Sequence, residues 1–449
     1  LGLLLSIFWE YLRCYASFLF GLNYRKSVVF RHLIHRKTHR IPRGYHYSIK
    51  TALSIYVRRV ILDIFKTGKL DEHPGGEMVF YNDGVESWAM DYVQSNGEKD
   101  GLNMYLSPSN MYLKLPIYLK VVYLFLQAIL ALLSLPILCI RPIGIWSLHL
   151  TVVHEHVKIM SLLQGKGIRK FYDFFSYEIG SSFLNELLVG KGIRNHFITS
   201  PTPLYETYPD CVCDIFLSAS PYHMEELEYK KAQPEYPLRF LYTEMRQWPY
   251  NEFDEKLEKF MGESAERNKQ IGIYVSGVWW RSKEKHQEFA DGFFESEFLL
   301  LEHMKRFGEQ HPEYTLWLFL HPRERRTEAQ LEEALAFYHS QFGTVPFKLM
   351  DFGKPTKSQF GLCDISISVS SNTTYERLFG GFKSIFTPYK LPTFPMPGNA
   401  LEQICARDYV SMERMILDYS NMTTEDFFEQ TGLKKYHYKF RKFDSEVTA

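Results

Sequence analysis

Apolar and polar positions along the chain follow three patterns in succession. From Leu1 to about Lys69 apolar and aromatic residues recur at helical spacing, broken mostly by Lys and Arg, which predicts apolar, basic helices. After the turn-forming His73-Pro74-Gly75-Gly76, short apolar runs take over. Met78 to Tyr81, Lys170 to Phe175, Asn195 to Thr199 and Cys213 to Leu217 predict strands, while His149 to Gln164 and Ile179 to Val189 predict helices. Residues 231 to 270 hold several prolines and charges and little strand signal, which suits a junction near 265. The third pattern follows it. Ile271 to Val275, Leu316 to Leu320, Phe347 to Met350, Ile365 to Val369 and Ser384 to Phe386 predict strands. Between them, Phe298 to Phe307, Thr327 to Phe342 and a short stretch closing at Gly380-Gly381 predict helices. Strands alternating with helices imply α/β architecture with parallel sheets. The expected organisation is a helical region over 1–75, one α/β domain over 76–265 with an apolar insertion at 115–148, and a second over 266–449 that ends in helices.

The insertion contains Val121 to Ile140, a run without charge flanked by Lys120 and Arg141. Its length matches a membrane span, but Gln127, Ser134 and Pro136 interrupt it and both flanks are basic. A re-entrant or interfacial helix is the preferred reading, ahead of a true span and of a core helix. Charge supports this. No acidic residue occurs between Glu10 and Asp63, whereas Lys and Arg recur from Arg13 to Arg59, a pattern that fits an anionic leaflet. The chain as a whole has 449 residues and zero formal net charge, so nothing global points to nucleic acid. Six cysteines form no CxxC pair, and reduced thiols are expected.

Candidate chemistry gathers where predicted strands end. Ile271 to Val275 runs into Ser276-Gly277, and Leu316 to Leu320 delivers His321-Pro322. Ile365 to Val369 leads to Ser370-Ser371-Asn372-Thr373-Thr374 before a helix. If the sheet is parallel, these ends share one edge, the place where open α/β sheets bind ligands. Hydroxyls at a helix N-terminus suit phosphate, and Glu376, one turn in, would accept from a ribose diol. Thr373-x-x-Glu376 also reads as a capping box, which requires no ligand. His321 would donate a hydrogen bond to a leaving phosphate. A base for an acceptor hydroxyl is offered by Asp83, after the Met78 to Tyr81 strand, and by Asp173 or Glu178 around the end of the 170–175 strand. There is no GxxxxGK[ST] and no isolated DxD, so neither a P-loop nor a catalytic metal is implied.

The order Asn82-Asp83-Gly84, His321-Pro322, Ser370-Ser371 resembles the acidic-Asp-Gly, His-Pro and Ser-Ser motifs of bacterial sialyl- and polysialyltransferases. Those are GT-B glycosyltransferases of surface polysaccharide synthesis, which residues 270 to 400 also resemble as a donor domain. Asn82 stands where the family carries an acidic residue. The resemblance implies two Rossmann-like domains facing a central cleft, preceded by a membrane-associating helical region. It implies Asp83 as base, His321 as the electrophile at the phosphate, and Ser370 and Ser371 as phosphate ligands. The expected activity is an inverting, metal-independent transfer from a nucleotide sugar, a CMP-linked ulosonic acid being favoured. The acceptor would be a lipid-linked or polymeric saccharide, at the cytoplasmic face of the inner membrane, with no further cofactor. A polyol-phosphate transferase using a CDP-activated alcohol, and a membrane scaffold with a degenerate nucleotide fold, are the alternatives.

Overall fold

A computed structural model describes residues 48–66, 78–81, 104–105, 115–135, 170–173, 194–198, 214–218, 225, 244–247, 268–283 and 292–436, apart from 355, 392–393 and 395–397, with scattered positions in 2–12 and 146–158. The chain divides into two compact units: residues 1–200, 204–218 and 227–246 form the first, and 201–203, 219–226 and 247–449 the second.

The first unit holds a sheet of β1 (Met78–Tyr81), β2 (Met104–Tyr105), β3 (Lys170–Asp173), β4 (Arg194–Ile198), β5 (Ile215–Ser218) and β6 (Glu244–Gln247). Their order is β2-β1-β3-β4-β5-β6. The pairings from β2 through β5 are parallel. β1, β3, β4 and β5 match the predicted strands closely. β2 and β6 were not expected: β2 is two residues long, and β6, Glu-Met-Arg-Gln, lies in the 231–270 stretch that shows little strand signal. Helix α1 (Ile49–Tyr56) continues through a π-helical turn (Val57–Ile61) into Leu62–Phe65. Helix α2 spans Ile117–Leu133, so the apolar run is helical over its first two-thirds. The predicted helix at Ile179 to Val189 lies outside the described residues.

The second unit is a parallel five-stranded sheet of β7 (Gln270–Tyr274), β8 (Thr315–Phe319), β9 (Phe347–Leu349), β10 (Ile365–Ser368) and β11 (Lys383–Phe386). Its order is β11-β10-β7-β8-β9. The helices are α3 (Val278–Lys283), α4 (Phe293–Gln310), α5 (Glu328–Phe342), α6 (Asn372–Phe379), α7 (Tyr409–Ser420) and α8 (Thr424–Gln430). Right-handed crossovers place α4 and α5, which step from β7 towards β9, on one face, and α6, which steps from β10 to β11, on the other. Helix α7 joins the α4 side, where Arg306 lies 3.9 Å over the Tyr409 ring and His311 meets Glu413 at 3.0 Å. Both faces are covered, so β10 is buried throughout. Its Ile365 and Ile367 belong to the main core, and Ser366 bonds Ser384 of β11 at 2.9 Å. Ser384 Oγ also reaches the Thr374 carbonyl of α6 at 3.4 Å. The Ile-Ser alternation therefore separates a greasy face from a close-packed hydroxyl face, both dry. The expected class, α/β with two Rossmann-like parallel sheets, is the one observed.

Candidate functional site

In the second unit the chain fills β7, β8 and β9 in one direction, then crosses back to place β10 on the other side of β7. The strand order therefore reverses between β7 and β10, and loops leaving those two strands diverge to open a crevice. The residues at their carboxyl ends are Ser276-Gly277 and Ser370-Ser371, and β8, on the far side of β7, brings His321. Three sequence-predicted elements thus come from three adjacent parallel strands and lie at one sheet edge.

Each is held from beneath. Gly277 has φ +88°, and a Cβ there would stand 3.3 Å from His321 Cβ. Glycine is needed both for the left-handed conformation and for the close approach of the β8 end. The Ser276 N–H donates to Glu297 Oε1 of α4 at 2.8 Å. Arg281 Nε donates to the Ser276 carbonyl at 2.6 Å.

His321 caps the 3-10 turn Pro322–Arg325, with Pro322 at its first position as expected. Its Nδ1 accepts the Arg323 N–H at 3.2 Å, and Glu324 Oε2 accepts the His321 N–H at 3.3 Å. The capping box expected at Thr373 and Glu376 is here instead. Glu324 is fully buried, and its Oε1 also accepts from Tyr338 Oη at 2.9 Å. With Nδ1 an acceptor, Nε2 carries the ring proton. Burial, then Arg281, Arg323, Arg326 and Arg325, pull the imidazole down to about 3, so it is a neutral N–H donor at ordinary pH. Its ring stacks on Trp280, centroids 6.3 Å apart and planes 13° apart. The Arg323 guanidinium lies 4.5 Å over the same indole.

At the third strand end, Ser368 Oγ accepts the Ser371 N–H at 3.1 Å and shapes the turn. Ser370 is buried, and Ser371 is the N-cap of α6 with no capping bond from its own side chain. Thr373 is therefore the second residue of the helix and Glu376 the fifth, which is why no capping box forms between them. No acidic residue stands in the first turn, so the positive end of the helix keeps its field. Asn372 is exposed and Thr373 half-buried at that end. Glu376 is buried one turn in and meets Lys357 at 3.5 Å.

Beneath the edge lie two carboxyls that the sequence reading missed. Burial, reinforced by Glu324, pushes Glu297 up to about 7, and burial pushes Glu324 up to about 7 as well. Both sit in helical or turn segments where a charge reads as solvent-facing. The arginines around His321 were also missed, though Arg323, Arg325 and Arg326 stand beside it in sequence. Together they make a basic rim around a neutral donor, at the sheet edge where the α6 N-terminus also emerges, an arrangement that accepts phosphate.

In the first unit the strand order reverses between β1 and β3. Asp173 is the last residue of β3, in register with Tyr81, the last of β1. It therefore occupies the position in this sheet that ligand-binding residues take in other α/β sheets. Asp83, with Asn82 and Gly84, lies outside the described residues, as does Glu178.

No protein-family model matches the chain, and no curated protein does. Among solved structures it is similar to a UDP-GlcNAc 2-epimerase from Neisseria meningitidis bound to UDP-GlcNAc, at 9% identity and TM-score 0.43 over 80% of this chain and 99% of that one. It is similar to a Thermobaculum terrenum O-GlcNAc transferase mutant at 11% identity and TM-score 0.42, over 94% and 73%. It is also similar to the wall teichoic acid polymerase TagF at 10% identity and TM-score 0.41, over 87% and 90%. At these values the likeness assigns no activity, and the α/β fold stands on the strand pairings themselves.

Proposed function

We propose that the protein is a glycosyltransferase of GT-B type that takes a nucleotide sugar as donor and a glycan as acceptor. One observation carries the reading. Three adjacent parallel strands end in Ser276-Gly277, His321 and Ser370-Ser371 at the switch point of the second sheet, under a rim of arginines. A donor phosphate at that edge would accept from His321 Nε2 and from the α6 N-terminus. The arginines would offset the charge that grows as it leaves. In a single displacement the acceptor oxygen bonds the anomeric carbon and the bond from that carbon to the phosphate oxygen breaks. The electron pair stays on the phosphate, and the hydroxyl proton passes to a carboxylate. Asp83 and Asp173 are the candidates for that base. Configuration inverts.

The finer reading is a CMP-linked ulosonic acid as donor and a lipid-linked or polymeric saccharide as acceptor. It rests on the motif order Asn82-Asp83-Gly84, His321-Pro322, Ser370-Ser371. The test is nucleotide release from activated sugars by wild type, His321→Ala and Ser370→Ala. Turnover should fall by at least about tenfold in each variant, the loss of more than one kcal/mol expected for a charge-assisted contact. Unchanged turnover in both would remove the phosphate site from this edge. Phosphate retained in the product would make the enzyme a polyol-phosphate transferase.

A further inference from the structure

One helix of the first unit, α2, is built inside out. Helix α2 turns Lys120, Tyr123, Gln127 and Leu130 inward, with Gln127 only 1% exposed. Its outer face is Ile117, Val121, Phe125, Ile129 and Leu132, with Phe125 67% and Leu132 66% exposed. A helix in water has the opposite polarity, apolar stripe inward and polar face outward. Helix α1 shares only the outer half of this pattern: Ile49 and Leu53, followed at the same four-residue spacing by Val57 of the π-helical turn, are exposed, while its one buried residue is Ala52.

The interior is correspondingly polar. Asp63, at the end of the helix that continues α1, meets His154 Nε2 at 2.9 Å and Lys158 Nζ at 2.6 Å. His154 Nδ1 bonds Tyr123 Oη at 3.0 Å, and Gln127 Nε2 donates to the same oxygen at 2.5 Å. A small apolar cluster of Leu4, Val60, Ile64, Tyr123 and Val157 packs around this network. Polar residues joined within a helical assembly, with apolar residues outside, is the arrangement that hydrocarbon surroundings select. Charge agrees: Lys50, Arg58 and Arg59 are exposed on the same helical segment, and no acidic residue precedes Asp63 back to Glu10.

No described helix is long and apolar enough to cross a membrane. Seventeen residues of α2 extend about 25 Å, short of the roughly 30 Å hydrocarbon core. We infer that the outer faces of α1 and α2 lie immersed in the headgroup–acyl boundary of an anionic lipid leaflet, held in plane and not across it. The lysine and arginines beside α1 would meet the headgroups.

Flotation of the full chain with lipid vesicles tests this. Wild type is expected to float with vesicles of phosphatidylcholine and phosphatidylglycerol, and less with phosphatidylcholine alone. A Phe125→Gln/Leu132→Gln double variant, altered only at exposed positions, should lose at least about tenfold in partitioning, because two large apolar side chains no longer leave water. Arg58→Gln/Arg59→Gln should lose roughly tenfold or more of the preference for anionic vesicles while still binding them. Circular dichroism would show that each variant keeps the wild-type helix content. Wild type left in the soluble fraction with both vesicles would overturn the inference. So would a Phe125/Leu132 variant that floats like wild type. A dimer in lipid-free solution that the same variant dissolves, without vesicle binding, would assign the face to a second copy and also overturn it.

Discussion

Replacing Glu297 with glutamine should change how the second unit responds to pH, in a direction that burial dictates. Glu297 is 1% exposed; Oε1 accepts the Ser276 N–H, while Oε2 has no hydrogen-bond partner. Its ionised form therefore lies in dry surroundings with one bond, near a second carboxyl. The group titrates at about 7 in the folded chain against 4.5 as a free side chain. Below 4.5 both folded and unfolded forms hold the proton, and the stability contribution is at its full value. As pH rises from 4.5 towards 7 the unfolded chain releases the proton and the folded chain keeps it, so stability falls. Above 7 the loss is complete, on the order of 3 kcal/mol. Glutamine keeps an acceptor for Ser276 and cannot ionise. Thermal unfolding followed by tryptophan fluorescence, in steps from about pH 5 to about pH 8, gives the variant-minus-wild-type difference, in which groups not coupled to Glu297 cancel and relief of the neighbouring Glu324 adds in the same direction at the alkaline end. Glu297→Gln should equal or trail wild type at the acid end and exceed it at the alkaline end. A difference that stays flat across the range would refute a buried carboxyl of raised pKa under the Ser276 loop.

Gly277→Ala should cost about 1–2 kcal/mol for the left-handed backbone alone, and more because its Cβ meets His321; urea unfolding measures it. Lys383 is buried against Asp364 at 2.7 Å and the Tyr419 and Met422 carbonyls. Lys383→Met should therefore destabilise by about 3–5 kcal/mol, with part regained in Lys383→Met/Asp364→Leu, both read from denaturation midpoints. Tyr338→Phe removes the hydroxyl that donates to Glu324, and should cost about 1 kcal/mol and raise the pKa of Glu324 further, visible as a stability loss that grows with pH.

Strands with strong apolar runs were legible. Leu316 to Leu320 and Ile365 to Val369 predict β8 and β10 to within a residue or two, and with them the places where His321 and Ser370 emerge. β6 was not, because Glu-Met-Arg-Gln carries no apolar period; its pairing comes from the sheet beside it and not from its own residues. The capping residue is a matter of backbone geometry. Ser371 and Thr373 both suit the role, and only the dihedral angles of the turn, with Ser371 extended and Asn372 helical, decide between them. Glu297 and Glu324 were illegible for a related reason. Their burial depends on α4 and α5 packing onto β7 and β8, and a charge in a helical segment gives no sign of it. The inverted polarity of α2 was half legible: the apolar run was plain, but which of its faces would be inward was not.

The phosphate-binding edge of the second sheet is tested most directly by calorimetric titration with CMP, UDP, GDP and dTDP. At least one nucleotide should bind wild type. Its affinity should drop by roughly tenfold or more in His321→Ala and in Ser371→Ala, each of which removes a contact worth about 1.5 kcal/mol or more to a charged ligand. No binding by any of the four nucleotides, or binding of equal strength in wild type and both variants, would contradict the central claim.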